Sequence, residues 1–208
     1  MNRFFGRIRN SLAIKVILST VLLSLAVTGV TGSVLNTQLS AGVKDVNRNS
    51  ALVEARSTIF TAEYRFLLAQ GEKDSVVQKV VDDVISSATT LTSSENAREV
   101  VFIRSPGNTR QINYEIASNL LDPTSIPTSL SERVRKNPDL VYQYTNMNYL
   151  TGTRIKGLAI GQKVQIPNAG QYEMYIIFSL ANQEKTLDLI SRSLLLGGFV
   201  LLLLVALI

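Results

Sequence analysis

The chain has 208 residues, a formal charge of +5, and neither cysteine nor histidine. Without cysteine there is no disulfide framework or thiolate metal site, and without histidine these residues hold no His phosphoacceptor, His-based triad or His-ligated metal. The charge is concentrated: Arg3, Arg7, Arg9 and Lys15 are four of the 21 basic residues, leaving 17 against 16 acids, so the rest shows no basic, aromatic-laced face for nucleic acid.

Residues 1–15 form a basic arm without an acid. Residues 16–35 (VILSTVLLSLAVTGVTGSVL) then supply the twenty predominantly apolar positions that a membrane-spanning helix needs. A cleaved signal peptide is the competing reading. It is disfavoured because the run exceeds a usual signal core and no A-x-A-like site follows. Short Lys/Arg-rich flanks stay cytoplasmic whereas long loops cross regardless of charge, so the arm is expected inside and residues 36–192 outside. Thr20, Ser24, Thr28 and Gly32 recur every four residues. Such a small-residue stripe allows close approach of another helix, although Ser and Thr also occur in membrane helices without that role.

In the expected extracytoplasmic domain, residues 36–192, the mostly apolar positions first step 4-3-4-3: Leu39, Val43, Val46, Ser50, Val53, Ser57, Phe60, Tyr64, Leu67. A second line, Leu52, Ala55, Ile59, Ala62 and Phe66, widens this into the buried face of a long amphipathic helix ending near Gly71. A second helix is expected over 74–91, with Val76, Val77, Val80, Val81, Val84, Ile85 and Ala88 on one side and Asp82 and Asp83 on the other, a solvated face. The period then changes to two. Residues 100–104 read as a strand, Ser105-Pro106-Gly107-Asn108 as a turn and 111–116 as a short return strand. A short helix is expected over 127–136 and a strand over 141–144, with Tyr142 and Tyr144 on one face. Residues 155–166 and 172–180 make two further strands, joined by a turn at Pro167-Asn168-Ala169-Gly170. The last strand is apolar on both faces and belongs in the centre of the sheet.

Asn182 is the expected cap of a final helix. From Gln183 the pattern stays helical into a second apolar run, Ser193 to Ile208, with Gly197-Gly198 tolerated within a membrane helix. Those sixteen residues cover about 24 Å of a hydrocarbon core roughly 30 Å thick, so the second span is expected to continue past Ile208. The predicted class is therefore α+β: a long N-terminal helix and an antiparallel sheet flanked by two transmembrane helices. The central strand would be joined to the second span by one short rod, the layout of a transducer.

The strand-to-helix passage YEMYIIFSLANQEKTLDLI, within residues 142–208, resembles the sensor end of actinobacterial MtrB-type two-component sensor histidine kinases. The resemblance covers the whole chain in layout. It implies a homodimeric sensor whose extracytoplasmic domain is PAS-like, of the PDC or Cache type. A HAMP linker, a His-bearing dimerisation helix and an ATP-binding domain would follow the second span. It also implies membrane lipid around the spans and a response regulator of the MtrA type as partner, in cell-envelope, osmotic and division control. An envelope lipoprotein of the LpqB kind is a further partner it allows. No catalytic residue, cofactor or metal ligand is carried over to these residues, and ATP and magnesium are expected only for the kinase domain.

The candidate ligand surface is Tyr142, Tyr144 and Tyr149 followed by Arg154 and Lys156, aromatic faces beside cations that suit a polar or anionic ligand. Ordinary sheet aromatics with solvated basic residues are the plainer account. Two other readings of the chain stay open: the sensor of another two-span transducer, such as a chemoreceptor or cyclase, and a membrane-anchored envelope scaffold.

Overall fold

The computed structural model describes residues 12–89, 97–118 and 121–207. They divide into two units: residues 45–184, and the terminal residues 1–44 with 185–208, helical wherever described. The basic arm with Arg3, Arg7 and Arg9 lies outside the described residues. Among the described residues, no helix is long and apolar enough to cross a membrane. The two apolar runs fall partly on side chains outside that description.

Helix α1 runs Leu12–Leu68 without interruption. No proline occurs in it, and Gly71, at φ 86°, takes the left-handed turn just beyond its end. Helix α2 follows at Asp74–Ala88. The five strands are β1 (Arg98–Arg104), β2 (Ile116–Ala117), β3 (Val141–Asn148), β4 (Arg154–Ile166) and β5 (Gly170–Ser179). All neighbours are antiparallel, in the order β2-β1-β5-β4-β3. A 3-10 turn (Pro123–Ser125), helix α3 (Thr128–Lys136) and helix α4 (Ala181–Leu207) complete the chain.

The sheet separates two apolar layers. On one face α1 and α2 supply Ala55, Ile59, Ala62, Phe66, Val77, Val81 and Val84 against Val100, Phe102, Leu158, Ile160, Met174 and Ile176. On the other, Leu121, Ile126, Leu130 and Val134 cover Val101, Ala159, Tyr175 and Ile177. Strand β5 is central and apolar to both sides, as its sequence requires. The β4–β5 turn places Asn168 (φ 62°) and Gly170 (φ 89°) in the left-handed region that a tight hairpin demands.

Three expectations are corrected. The 4-3 line on α1 is not buried: Val46, Val53, Phe60 and Leu67 are 65%, 72%, 69% and 64% exposed, and only the second line through Ala55, Ile59, Ala62 and Phe66 enters the core. The return strand shrinks to Ile116–Ala117. Its predecessor is held by side chains instead, because the Asn108 amide donates to the Ala169 and Gln171 carbonyls and the Tyr114 backbone N–H donates to the Tyr172 hydroxyl. Asn182 is not the cap of α4. The helix starts at Ala181, whose N–H reaches the Ser179 hydroxyl at 3.3 Å.

Gly161 marks the tightest packing on the α3 face. A Cβ there would lie 2.5 Å from Tyr175 Cδ1 and 2.9 Å from Val134 Cγ2. Gly161→Ala should therefore cost about 2–3 kcal/mol by overpacking, read as a lower urea midpoint at unchanged slope. An unchanged midpoint would show that α3 yields freely.

Candidate functional site

Strand alternation decides which of the sequence-predicted residues meet. Tyr142 and Tyr144 on β3, and Arg154 and Lys156 on β4, share the α1 side of the sheet. Tyr142 packs against that core, with the Arg48 guanidinium 5.8 Å from its ring centroid. Tyr144 and Arg154 are exposed, and the Lys156 ammonium forms a surface ion pair with Glu184. Tyr149 turns to the opposite face and packs in the α3 layer. The five residues thus fall on two sides of the sheet. On α1, Thr20 is exposed, Ser24 and Gly32 are half-buried, and a Cβ added at Gly32 would meet nothing within 4 Å; the Thr28 side chain lies outside the described residues.

Two buried carboxylates with hydroxyl partners sit under α3 and the 3-10 turn. Glu173, fully buried in the middle of the sheet, accepts from Arg135 Nε at 2.6 Å through Oε1. Its Oε2 accepts from the Ser131 hydroxyl and the Tyr175 hydroxyl, both at 2.6 Å. Ser131 and Arg135 belong to α3, and Glu173 and Tyr175 to β5, so the buried carboxylate clamps α3 to the central strand. A second buried acid, Glu99 on β1, accepts from the Ser118 hydroxyl at 2.5 Å and from the Tyr149 hydroxyl at 3.1 Å. Ser118 Oγ in turn accepts from the Val100 N–H at 2.7 Å. Both acids point to the α3 face. Sequence reasoning passed over them, though an acid inside the otherwise apolar run Tyr172–Phe178 was a usable signal: a buried carboxylate needs built-in partners.

Both tyrosines lose their protons less readily than an ordinary tyrosine at 10.0. For Tyr149 the causes are burial, then the charge of Glu99 and its hydrogen bond; for Tyr175 they are burial, then the hydrogen bond to Glu173. A raised value means the folded state holds the proton longer, so this stabilisation is complete below about pH 10 and is lost as pH rises through the alkaline range. Thermal melting should accordingly be insensitive to these groups up to about pH 9 and fall above about pH 10, less steeply in Tyr149→Phe. An equal alkaline slope in that variant would remove Tyr149 from the account.

The opposite end of β5 feeds the last helix. Ser179 N–H donates to the Ala97 carbonyl at 2.9 Å and Leu180 N–H to the Lys156 carbonyl at 2.8 Å, tying the junction to both flanking strands. Glu184 N–H donates back to the Leu180 carbonyl at 3.0 Å, and the Lys156–Glu184 pair crosses the same point. Strand and helix are therefore joined by one residue, Leu180, with no slack. From Glu173 to its end at Ser179 the strand covers about 20 Å, so the buried clamp and the junction are linked by a strand paired on both sides.

No protein-family model matches the chain. A curated protein does: the sensor histidine kinase MtrB of Mycolicibacterium paratuberculosis, 28% identical over 207 residues. The chain is similar to a sensor histidine kinase. That alignment takes in 95% of this chain and 34% of the relative, so the chain spans about a third of the relative's length. It supports a sensor-kinase-related module.

Proposed function

We propose that this chain is the extracytoplasmic sensing and transmembrane-signalling module of a two-component sensor histidine kinase. The observation that carries the reading is the junction at Leu180, where the central strand passes directly into α4, a helix that continues to Leu207. In this reading residues 16–35 and the run from Ser193 onward cross the cell membrane, and residues 36–192 are a PAS-like domain of the PDC or Cache type. A displacement of α3 acts on β5 through Glu173 and is delivered to α4. A signal has this effect only if it interacts differently with two arrangements of the domain. The similarity to a sensor kinase and the α+β layering support the assignment.

The phosphoryl transfer, its ATP and magnesium, and contact with a response regulator of the MtrA type belong to a cytoplasmic portion after the second span. No residue described here is assigned to them. An envelope lipoprotein is a partner this placement permits. The deciding experiment is the mass and sequence of the native polypeptide beyond Ile208. A His-bearing helix followed by nucleotide-binding boxes is expected; a stop within a few residues would overturn the kinase assignment and leave an anchored envelope protein.

A further inference from the structure

We infer that the groove between the end of α1 and the β4–β5 hairpin is a binding site for a small organic cation, an ammonium carried on an aromatic or apolar body. Its volume is about 680 Å³, within the roughly 300–1,000 Å³ typical of small-molecule sites. Helix α1 contributes Phe60, Tyr64, Phe66 and Leu67 to its lining, and the hairpin contributes Gln165 and Pro167. All of these belong to the unit of residues 45–184. The walls are fixed before any ligand arrives. Phe66 is buried edge-on against Phe102, and the Asn168 amide donates to the Glu72 carbonyl at 3.0 Å and to the Asp74 carboxylate at 2.8 Å. The hairpin is thereby held to the connection between α1 and α2.

The charge of the ligand follows from Glu63, the one charged side chain among the described residues that line the groove. Glu63 is half-buried, and among the described residues it has neither an ion pair nor a hydrogen bond. The two deeper acids, Glu99 and Glu173, are by contrast both supplied with donors. Burial raises the pKa of the Glu63 carboxyl from its ordinary value, and no cation of the protein opposes the shift. An ammonium entering the groove supplies the missing partner. The rings of Phe60, Tyr64 and Phe66 favour the same sign of charge, because aromatic faces carry negative potential. An anion would be repelled by the carboxylate and would gain nothing from the rings. A metal ion seeks several oxygen ligands and would find a single carboxylate. The amide oxygens of exposed Gln70 and Gln165 offer acceptors for the remaining ammonium N–H groups.

That filling the groove is the signal of the domain rests on the sensor reading proposed above; the site itself rests only on the residues that line it. The test is calorimetric titration of the full chain, held in phosphatidylcholine nanodiscs at pH 7, with 3-phenylpropylammonium as the probe. Binding with a Kd of about 1 mM or tighter is expected for a ligand of that size. The anionic counterpart 3-phenylpropanoate should bind at least about tenfold more weakly. Glu63→Gln should weaken binding of the amine by about tenfold, the loss of a hydrogen bond to a charged group. Phe60→Ala should weaken it severalfold through the lost ring. Both side chains are at least partly exposed, so thermal melts should show the two variants folded as the parent is. Binding that is absent, that 3-phenylpropanoate shares equally, or that is unchanged in either variant overturns the site. A groove filled by lipid or by a second copy gives the first of these results, and amine dissolved in the bilayer gives the last. The readout is binding to this chain, so it stands or falls separately from whether a kinase portion follows Ile208.

Discussion

Arg135→Met is expected to lower the stability of the domain by about 3 kcal/mol, because it leaves the Glu173 carboxylate buried without its cation. The side chain of Glu173 is fully buried whereas that of Arg135 is 40% exposed, so water reaches only one partner of the pair. That asymmetry puts the cost near the lower end of what breaking a buried ion pair involves. The Ser131 and Tyr175 hydroxyls continue to donate, but two neutral hydrogen bonds do not replace a guanidinium. Adding Glu173→Gln to the Arg135→Met chain should restore most of the loss, since the amide oxygen still accepts from the hydroxyls and no charge is left buried. Urea unfolding of the three proteins provides the comparison. If Arg135→Met alone shifts the midpoint by less than the equivalent of about 0.5 kcal/mol, the pair behaves like a surface ion pair and the clamp on α3 is lost as an idea.

How far the sequence could be read follows from which forces act locally. The β4–β5 hairpin was legible because Pro167-Asn168-Ala169-Gly170 encodes its own backbone geometry between two apolar runs of strand length. The central position of β5 was legible because Tyr175 and Ile177 are apolar on the side opposite Met174 and Ile176. The two faces of α1 were not. The 4-3 line and the line through Ala55 and Ile59 are both apolar and lie on one helix, and periodicity alone does not say which of them meets the sheet. Small size decided it: Ala51, Ala55, Ala62 and Ala69 let the helix lie close to the strands, whereas Val53, Phe60 and Leu67 would hold it off. The turn at 105–108 forms as read, but residues 111–115 were misread as strand because side chains distant in sequence, Tyr172 above all, satisfy that segment's backbone. For the same reason the acid networks escaped notice, since Glu99 and Glu173 acquire these partners only when segments 19 to 50 residues away in sequence fold over the sheet.

The sharpest contrast between the two faces of α1 comes from its phenylalanines. Phe66→Ala should destabilise the domain by about 4 kcal/mol, the loss for truncating a fully buried aromatic ring in a core that relaxes only in part. The ring lies in the core layer and meets Phe102 of β1 edge-on, with centroids 6.2 Å apart and planes at 70°, so its removal empties the contact that holds the end of α1 to the sheet. Ala62 and Ala69, one turn away on either side, are too small to fill the space. Phe60→Ala removes the same atoms from a side chain that is 69% exposed and should leave domain stability within about 0.5 kcal/mol. Thermal melts of the two variants separate the faces directly: a large loss for Phe66 with none for Phe60 assigns one line of the helix to the domain's own core. Equal losses would mean that α1 meets the sheet through the 4-3 line as well.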